Sequence, residues 1–289
     1  MRRSLGIKAS FETDCELPFP VAGVTRFGDQ ARFHPLKFLA EMSEEAEVYE
    51  QTRVLKVEGR RVETARGTVT TEHIVFAAYF PFINVPGYYF VRMHQERSYV
   101  VALEGAERPE GMHLGIDRDG LSFRACGDYL LLGGGNHRTG VNPGLRTAAG
   151  VGPVGRISAG MELKSNAFTG CRYEMLRSGA GELYPGCREA FRWSAQDCVT
   201  LDGLPYIGRF SGRKPNWYVA TDFGKWGMTS SMVSARILTA LIIGQDCRNE
   251  GISSPRRHYT AQAAKGPAVY GAYTVKGLAK HLLPSGIKG

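Results

Sequence analysis

The chain lacks the residue spacings that hold metal ions or build disulfide frameworks. None of its six cysteines forms a C-x-x-C pair, their spacing matches no zinc module, and its seven histidines show no H-E-x-x-H pattern. In a chain of this size such cysteines are typical of reduced, mostly buried thiols. We therefore predict a cytoplasmic protein without a metal site.

Long apolar runs are also missing. The most apolar stretch, Met232 to Gly244, is too short to span a bilayer and contains Arg236. The first ten residues carry positive charge, but no apolar segment follows them as it would in a signal peptide. These absences argue for a soluble chain without a membrane partner.

A continuous basic tract is absent as well, although the formal net charge is +8. Lys and Arg are scattered among carboxylates, and no basic run is interleaved with aromatic residues. This pattern argues against a nucleic-acid partner and favours a basic surface that attracts anionic substrates or cofactors. Hydrophobic residues make up 43% of the sequence, which excludes global disorder.

The hydrophobic pattern changes several times along the chain and indicates a mixed α/β fold. Helical spacing predicts helices at 33–46, 173–183 and 226–243. Alternating and β-branched residues predict strands within 47–78 and 88–135, and further strands at LPYIG and WYVAT. The Gly/Ala/Ser-rich stretch 141–167 predicts an irregular insertion.

One segment, Trp217 to Met232, carries a pattern suited to ligand binding. It predicts a buried strand, a turn and a helix N-terminus, an arrangement that points backbone N–H groups and the positive end of the helix dipole at one place. Gly224 and Gly227 would let a flat or anionic ligand approach the backbone, and Thr229 would cap the helix or donate its hydroxyl. An ordinary strand–turn–helix packing unit has the same local pattern.

A set of longer segments is more specific than this turn. The segments are FHPLKFL (33–39), VYEQTRV (48–54), HIVFAA (73–78), FPFINVPGYYFVRMHQERSYVVAL (80–103), DYLLLGGGNHRTG (128–140), DGLPYIG (202–208) and WYVATDFGKWGMTSSM (217–232). In sequence and in order they resemble the D-amino-acid oxidase-like family of FAD-dependent oxidoreductases, which includes glycine, sarcosine and γ-glutamylputrescine oxidases. The resemblance covers the chain from about residue 5 to residue 283, apart from 141–167.

The resemblance implies an incomplete Rossmann-like FAD-binding domain interwoven with an antiparallel β-sheet substrate domain. Residues 33–84 and 191–250 would belong to the FAD domain, and residues 1–32 and 85–190 to the substrate domain. Residues 251–289 would form a helical C-terminal tail.

The resemblance also implies a set of FAD contacts. Val54 would lie near the adenine, and Ala77 and Ala78 near the adenosine or pyrophosphate. The turn beside the flavin would contain Asp202, Gly203, Pro205 and Gly208. The N1/O2 edge of the flavin would receive backbone donors from Gly224, Lys225, Trp226, Gly227, Met228 and Thr229.

The implied reaction is hydride transfer from a C–H next to an amine nitrogen to the flavin, which gives an imine that water hydrolyses. The substrate would be a small amine or amino acid. Its side of the ring would be faced by His94, Gln95, Arg97, Tyr99 and Arg124, of which Arg124 would hold an anionic group. Structural pairing of Arg124 and burial of Tyr99 in a core are the simpler alternatives. No catalytic residue is assigned, and Cys198 shows no base partner that would make it a nucleophile.

Four features depart from the family's pattern. No strand leads through G-x-G-x-x-G into a helix, so we expect the dinucleotide-binding N-terminal segment to be absent. Asp222 stands where glycine is usual, and Thr229 where some members have a lysine for the substrate carboxylate. In some close relatives a Rieske iron–sulfur domain follows the helical tail, but this sequence contains no Cys/His pair of that kind. A catalytically silent fragment that self-associates, or a subunit that pairs with a chain carrying the dinucleotide-binding half, is therefore the alternative function.

Overall fold

The computed structural model describes residues 6–83, 85–117, 120–139, 156–157, 161–162 and 172–257. The chain forms two compact units, one within Met1–Glu50 and Arg97–Ala195 and one within Gln51–Glu96 and Gln196–Gly289. The assignment of an FAD domain and a substrate domain to particular segments stays a prediction.

The elements follow in the order expected for a mixed α/β chain. The strands are Ala9–Glu12 (β1), Val24–Phe27 (β2), Val54–Glu58 (β3), Arg61–Thr64 (β4), Gly67–Thr70 (β5), Ile74–Phe76 (β6), Met93–Glu104 (β7), Met112–Leu114 (β8), Ser122–Cys126 (β9), Tyr129–Arg138 (β10), Arg156–Ile157 (β11), Met161–Glu162 (β12), Arg188–Thr200 (β13), Tyr206–Ser211 (β14) and Lys214–Thr221 (β15). The α-helices are Pro35–Glu44 (α1), Arg172–Leu183 (α2), Gly227–Ile242 (α3) and Glu250–Ser253 (α4). The predicted fold class and the three predicted helices are confirmed.

The first unit is built on a sheet whose strand order is β13-β7-β10-β9-β8. Strand β9 pairs antiparallel with both β10 and β8. Helix α2 packs on β10 because Leu176, Ala180 and Leu183 recur at helical spacing on one face, and all three are buried. They join Leu130 and Leu132 of β10 in one apolar core.

The second unit contains the sheet β14-β15-β6, in which β15 pairs antiparallel with β14 and parallel with β6. Side chains of β15 alternate between two cores, as the period of a strand requires. Tyr218 and Ala220 pack with the buried face of α3, whereas Trp217 and Val219 pack in an aromatic cluster with Phe76. A parallel strand pair with a helix after one strand is the local arrangement of a Rossmann-like sheet.

The range 88–135, which was predicted to contain strands, instead begins with a 3₁₀ turn at Tyr89–Val91, and β7 starts only at Met93. Tyr88 adopts a left-handed conformation with φ of 52°, which turns the chain before the strand can begin. Tyr89 is fully buried, and its hydroxyl donates to the Phe210 carbonyl at 3.1 Å. Burial of this one ring therefore decides the local conformation against the β-forming composition.

Two predicted segments fall largely outside the described residues. Of the insertion at 141–167, only β11 and β12 are described, and they pair antiparallel. Of the predicted helical tail at 251–289, the described part ends at Arg257 and contains the end of α4.

Two glycines provide a matched test of the packing in the first unit. A Cβ on Gly120 would lie 2.4 Å from the Gly115 carbonyl oxygen, a backbone atom that cannot move aside cheaply. Gly181 lies on the exposed side of α2 and has open space around its Cβ position. We expect Gly120→Ala to lower the free energy of unfolding by about 1–3 kcal/mol, and Gly181→Ala to raise it by up to about 1 kcal/mol. Urea denaturation of both variants checks this, and equal effects would contradict it.

Candidate functional site

Three loops of the second unit meet at one edge of the sheet β14-β15-β6. Ala77 and Ala78 follow the carboxyl end of β6, and Asp222 follows the carboxyl end of the parallel strand β15. The Asp202 turn reaches the same edge because β14 begins at Tyr206, which pairs with Thr221 at the end of β15. In open α/β sheets, ligands bind outside the carboxyl ends of the parallel strands.

At the helix N-terminus, the loop from β15 to α3 leaves backbone N–H groups without a partner inside the helix. The first intrahelical bond is donated by the Ser230 N–H to the Trp226 carbonyl at 2.9 Å, so the amides of residues 227–229 precede it. Trp226 is the N-cap residue and makes no side-chain capping bond. Thr229 lies inside the first helical turn, so the expectation that it caps the helix is wrong.

The glycines of this loop leave its backbone open. A Cβ on Gly224 or Gly227 would meet no atom within 4 Å among the described residues. Gly224 has φ of 57°, a conformation that other residues adopt only with strain. Its N–H donates to the Cys198 carbonyl at 3.0 Å, and the Trp226 N–H donates to the Phe223 carbonyl. Two of the six predicted backbone donors, the amides of Gly224 and Trp226, are therefore already bonded within the chain.

The Asp202 turn is held rigidly by Arg257. The Arg257 guanidinium donates from Nη2 to Asp202 Oδ1 at 2.6 Å and from Nε to Oδ2 at 2.7 Å. Its Nη1 also donates to the Pro205 carbonyl at 3.1 Å. Both side chains of the ion pair are largely buried, with 6% and 16% of their surface exposed. Gly203, with φ of 75°, gives the turn its left-handed residue.

This pairing sets the charge of Asp202. Burial by itself would raise the pKa of the carboxyl group, but hydrogen bonds from Arg257, the Leu204 amide and the Thr200 hydroxyl outweigh it and lower the pKa below its ordinary value. Asp202 is therefore a stable carboxylate whose oxygens are committed to the turn. Sequence analysis missed Arg257, since a contact across 55 residues leaves no local signal.

Asp222 is buried like Asp202 but lacks the hydrogen bonds that keep Asp202 charged. Its residue surface is 4% exposed, and neither carboxyl oxygen has a hydrogen-bond partner among the described residues. The pKa of Asp222 is raised to about 8, mainly by burial, while Arg257 lowers it and the nearby Asp202 carboxylate raises it by smaller amounts. Its backbone φ of 65° is left-handed, which explains why glycine suits this position in the resembled family.

A small polar network lies beside Asp222. The Cys198 thiol forms hydrogen bonds with the side chains of Tyr79 and Gln95. Burial raises the pKa of Cys198 to about 12, and the proximity of Asp222 adds to this shift. Burial likewise raises the pKa of the Tyr79 hydroxyl. A neutral, buried thiol is a poor nucleophile, so this geometry gives no support to nucleophilic chemistry at Cys198.

The remaining predicted contacts are divided between the two units. His94 and Gln95 belong to the second unit, where His94 Nε2 lies 3.3 Å from Glu96 Oε1. In the first unit, Arg97 donates to the Ser194 hydroxyl at 3.3 Å and Tyr99 stacks on His137 at 5.7 Å. Arg124 is exposed on β9. The substrate-side roles of these residues stay predictions.

Val54, predicted to lie near the adenine, begins the separate sheet β3-β4-β5 of the second unit. The Trp217 indole donates at 2.7 Å to the carbonyl of Gly59, in the turn that follows β3. The structure thus joins this small sheet to β15, while the adenine contact itself stays a prediction.

Among the described residues, no group of three or more His, Cys, Asp or Glu side chains is arranged to hold a metal ion. No helix in the described ranges combines the length and apolar character that crossing a membrane requires.

Comparison with known proteins identifies the class to which this fold and site belong. Residues 5–241 match the family described as FAD dependent oxidoreductase. The chain is 32% identical, over 293 aligned positions, to a Bacillus subtilis (strain 168) protein named Rieske 2Fe-2S iron-sulfur protein YhfW. That alignment covers 96% of this chain and 52% of the relative. The chain thus belongs to the FAD dependent oxidoreductase family and spans about half the length of this relative.

Solved structures support the fold. A glycine oxidase from Geobacillus kaustophilus superposes with a TM-score of 0.61 at 19% identity, covering 90% of this chain and 70% of that one. An L-proline dehydrogenase from P. horikoshii gives 0.64 at 16% identity, with 88% and 70% covered. An L-amino acid deaminase from Proteus vulgaris gives 0.64 at 15% identity, with 89% and 73% covered. These matches establish the fold, and the resemblance inferred from sequence is confirmed.

The residues at the sheet edge fit the flavin end of the family's cofactor, FAD. The free amides of residues 227–229 and the open space beside Gly224 and Gly227 suit a flat, electron-rich ring. The unpartnered carboxyl group of Asp222 lies in the same loop and requires a polar partner that the described residues do not supply.

Proposed function

We propose that this chain binds the flavin end of FAD at the carboxyl edge of the sheet β14-β15-β6 and serves an oxidoreductase that acts on amines or amino acids. The convergence of the Asp202 turn and the N-terminus of α3 at one edge carries this proposal. The Ala77–Ala78 loop, predicted to lie near the adenosine or pyrophosphate, follows the parallel strand β6 at the same edge. Bound FAD would supply hydride acceptance at its ring.

The chain's own residues would bind and orient the ring. The helix N-terminus presents its free N–H groups and positive dipole end, which stabilise negative charge on an electron-rich ligand. The Asp202–Arg257 pair fixes the neighbouring turn, and its two charges cancel, so it holds the geometry without adding net charge. The amine or amino-acid class follows from the family and from the substrates named for glycine oxidase, L-proline dehydrogenase and L-amino acid deaminase.

A second candidate function is a subunit that pairs with a chain carrying the dinucleotide-binding half. Helix α1 favours it, because none of its residues is buried and Leu36, Leu39 and Met42 are 71%, 51% and 53% exposed. An amphipathic helix usually buries such a face against another element. Under this hypothesis the partner chain would cover α1.

The test is flavin uptake, measured by the visible absorption spectrum after incubation with excess FAD and desalting. We expect the chain to retain flavin bands and Gly224→Ala to lose most of them, because a methyl group would enter the open space beside the loop. Gly127→Ala is the matched control: Gly127 has φ of 56° in a hairpin of the first unit and equally open surroundings. Both substitutions should cost similar stability, about 1 kcal/mol.

Equal flavin retention by Gly224→Ala and Gly127→Ala would contradict a cofactor site at this loop. Uptake that appears only after a separately expressed dinucleotide-binding segment is added would favour the second candidate. Colourless protein under both conditions would contradict both functions.

A further inference from the structure

Asp222 is a buried carboxyl group in the loop that the proposed function assigns to the flavin. Its surface is 4% exposed, and both oxygens lack a hydrogen-bond partner within the described part of the chain. Buried polar atoms in folded proteins are almost always bonded, so an orphaned pair of oxygens in a ligand-facing loop indicates a missing partner.

Among the described residues, no group outweighs the effect of burial on a negative charge at this position, although Arg257 lowers the pKa of Asp222. The titratable and charged groups that act on Asp222 are Tyr79, Cys198, Asp202 and Arg257. Tyr79 and Cys198 bond with each other, and the Arg257 fork is bound to Asp202 at 2.6 and 2.7 Å. The remaining carboxylate, Asp202, repels a second negative charge. The surroundings therefore favour the protonated form of Asp222.

The backbone does not explain this choice of residue. The left-handed conformation at Asp222, with φ of 65°, is easiest for glycine, and asparagine adopts it as readily as aspartate. Glycine or asparagine would build the turn without placing an ionisable group in the interior. A residue that breaks a local packing rule at a ligand-facing loop is a candidate for function.

We propose that the Asp222 carboxyl group carries its proton in the folded chain and donates it as a hydrogen bond to an acceptor atom of the bound flavin. This inference rests on the proposed function and adds a residue to it. A protonated carboxyl group in an apolar site is a donor without charge, so it stabilises electron density on the ring as the helix N-terminus does. Once ionised, the same group would repel that density.

The experiment combines a measurement of the protonation state of Asp222 without cofactor and a measurement of FAD binding. Infrared spectra of the chain record the carboxylic-acid carbonyl stretch at pH 6. FAD affinity is then measured by fluorescence titration from pH 6 to 9.5. The variants are Asp222→Asn, Asp222→Gly as a second replacement that suits the backbone, and Asp246→Asn as an exposed control.

We expect the carbonyl band in the unmodified chain and in Asp246→Asn, and its loss in both Asp222 variants. The Kd for FAD should rise ~10-fold per pH unit above about pH 8 in the unmodified chain, because one proton must be retained. The Asp222 variants should show no such rise.

Absence of the Asp222 band would overturn the inference. A band with the same pH dependence of Kd in Asp222→Asn as in the unmodified chain would overturn the donor role. If the unmodified chain shows the band but neither it nor any variant takes up FAD, the proposed function fails and the donor role fails with it. The band then shows separately that the buried carboxyl group is protonated.

Discussion

Replacing Arg257 by methionine is expected to lower the free energy of unfolding by about 3–5 kcal/mol. The guanidinium makes two short hydrogen bonds to the Asp202 carboxylate, and both side chains are mostly removed from water. Without Arg257, Asp202 would remain buried near the Asp222 carboxyl group with no opposite charge. The cost comes mainly from this uncompensated carboxylate, not from the loss of an isolated attraction.

Equilibrium urea denaturation at pH 7 measures the effect, and Arg256→Met is the matched control because Arg256 is the exposed neighbour of Arg257. Arg257→Lys should recover only part of the loss, since an ammonium group cannot form the two-pronged contact. The double variant Asp202→Asn/Arg257→Met should cost clearly less than the sum of the single changes, as expected for a coupled pair. Additive costs, or equal effects of Arg256→Met and Arg257→Met, would contradict the structural account.

The same pair predicts an acid effect. The pKa of Asp202 is lowered in the folded chain, so the pair contributes stability above the unfolded-state pKa and loses it as pH falls through the lower folded-state pKa. Below about pH 4 the free energy of unfolding should therefore fall less steeply with falling pH in Arg257→Met than in the unmodified chain.

How much of this site could be predicted from sequence depended on whether the signal was local. The strand β15, the loop with Gly224 and the helix α3 follow from apolar spacing and glycine placement, and they were predicted. The resemblance implied only that Ala77 lies near the adenosine or pyrophosphate, and the parallel pairing of β6 with β15 is what brings its loop to the same sheet edge as the Gly224 loop.

The parts that escaped prediction depend on tertiary contacts. The 3₁₀ turn at Tyr89 exists because its ring is buried among distant aromatic side chains, which local β propensity cannot register. Arg257 contacts a turn far away in sequence. Asp222 was recognised as unusual, but its orphaned oxygens became apparent only when burial and hydrogen bonding were known.

Asp222→Asn is expected to stabilise the chain increasingly as pH rises from about 4 to about 8. In the unfolded chain Asp222 titrates near its ordinary value of 3.8, whereas in the folded chain its pKa is raised to about 8. Between these values the folded state binds more protons than the unfolded state, so the free energy of unfolding falls with rising pH. The slope contributed by this one group approaches about 1.4 kcal/mol per pH unit.

The measurement is a series of urea denaturations from pH 4 to pH 9 on the unmodified chain, Asp222→Asn and the exposed control Asp246→Asn. The difference between the unmodified chain and Asp222→Asn should be small near pH 4, grow to a few kcal/mol, and level off above about pH 8. Asp246→Asn should follow the unmodified chain throughout. A difference that is constant with pH would mean that Asp222 is charged at both ends of the range. It would then need a partner that outweighs its burial, and the described residues around it, with Arg257 bound to Asp202, offer none.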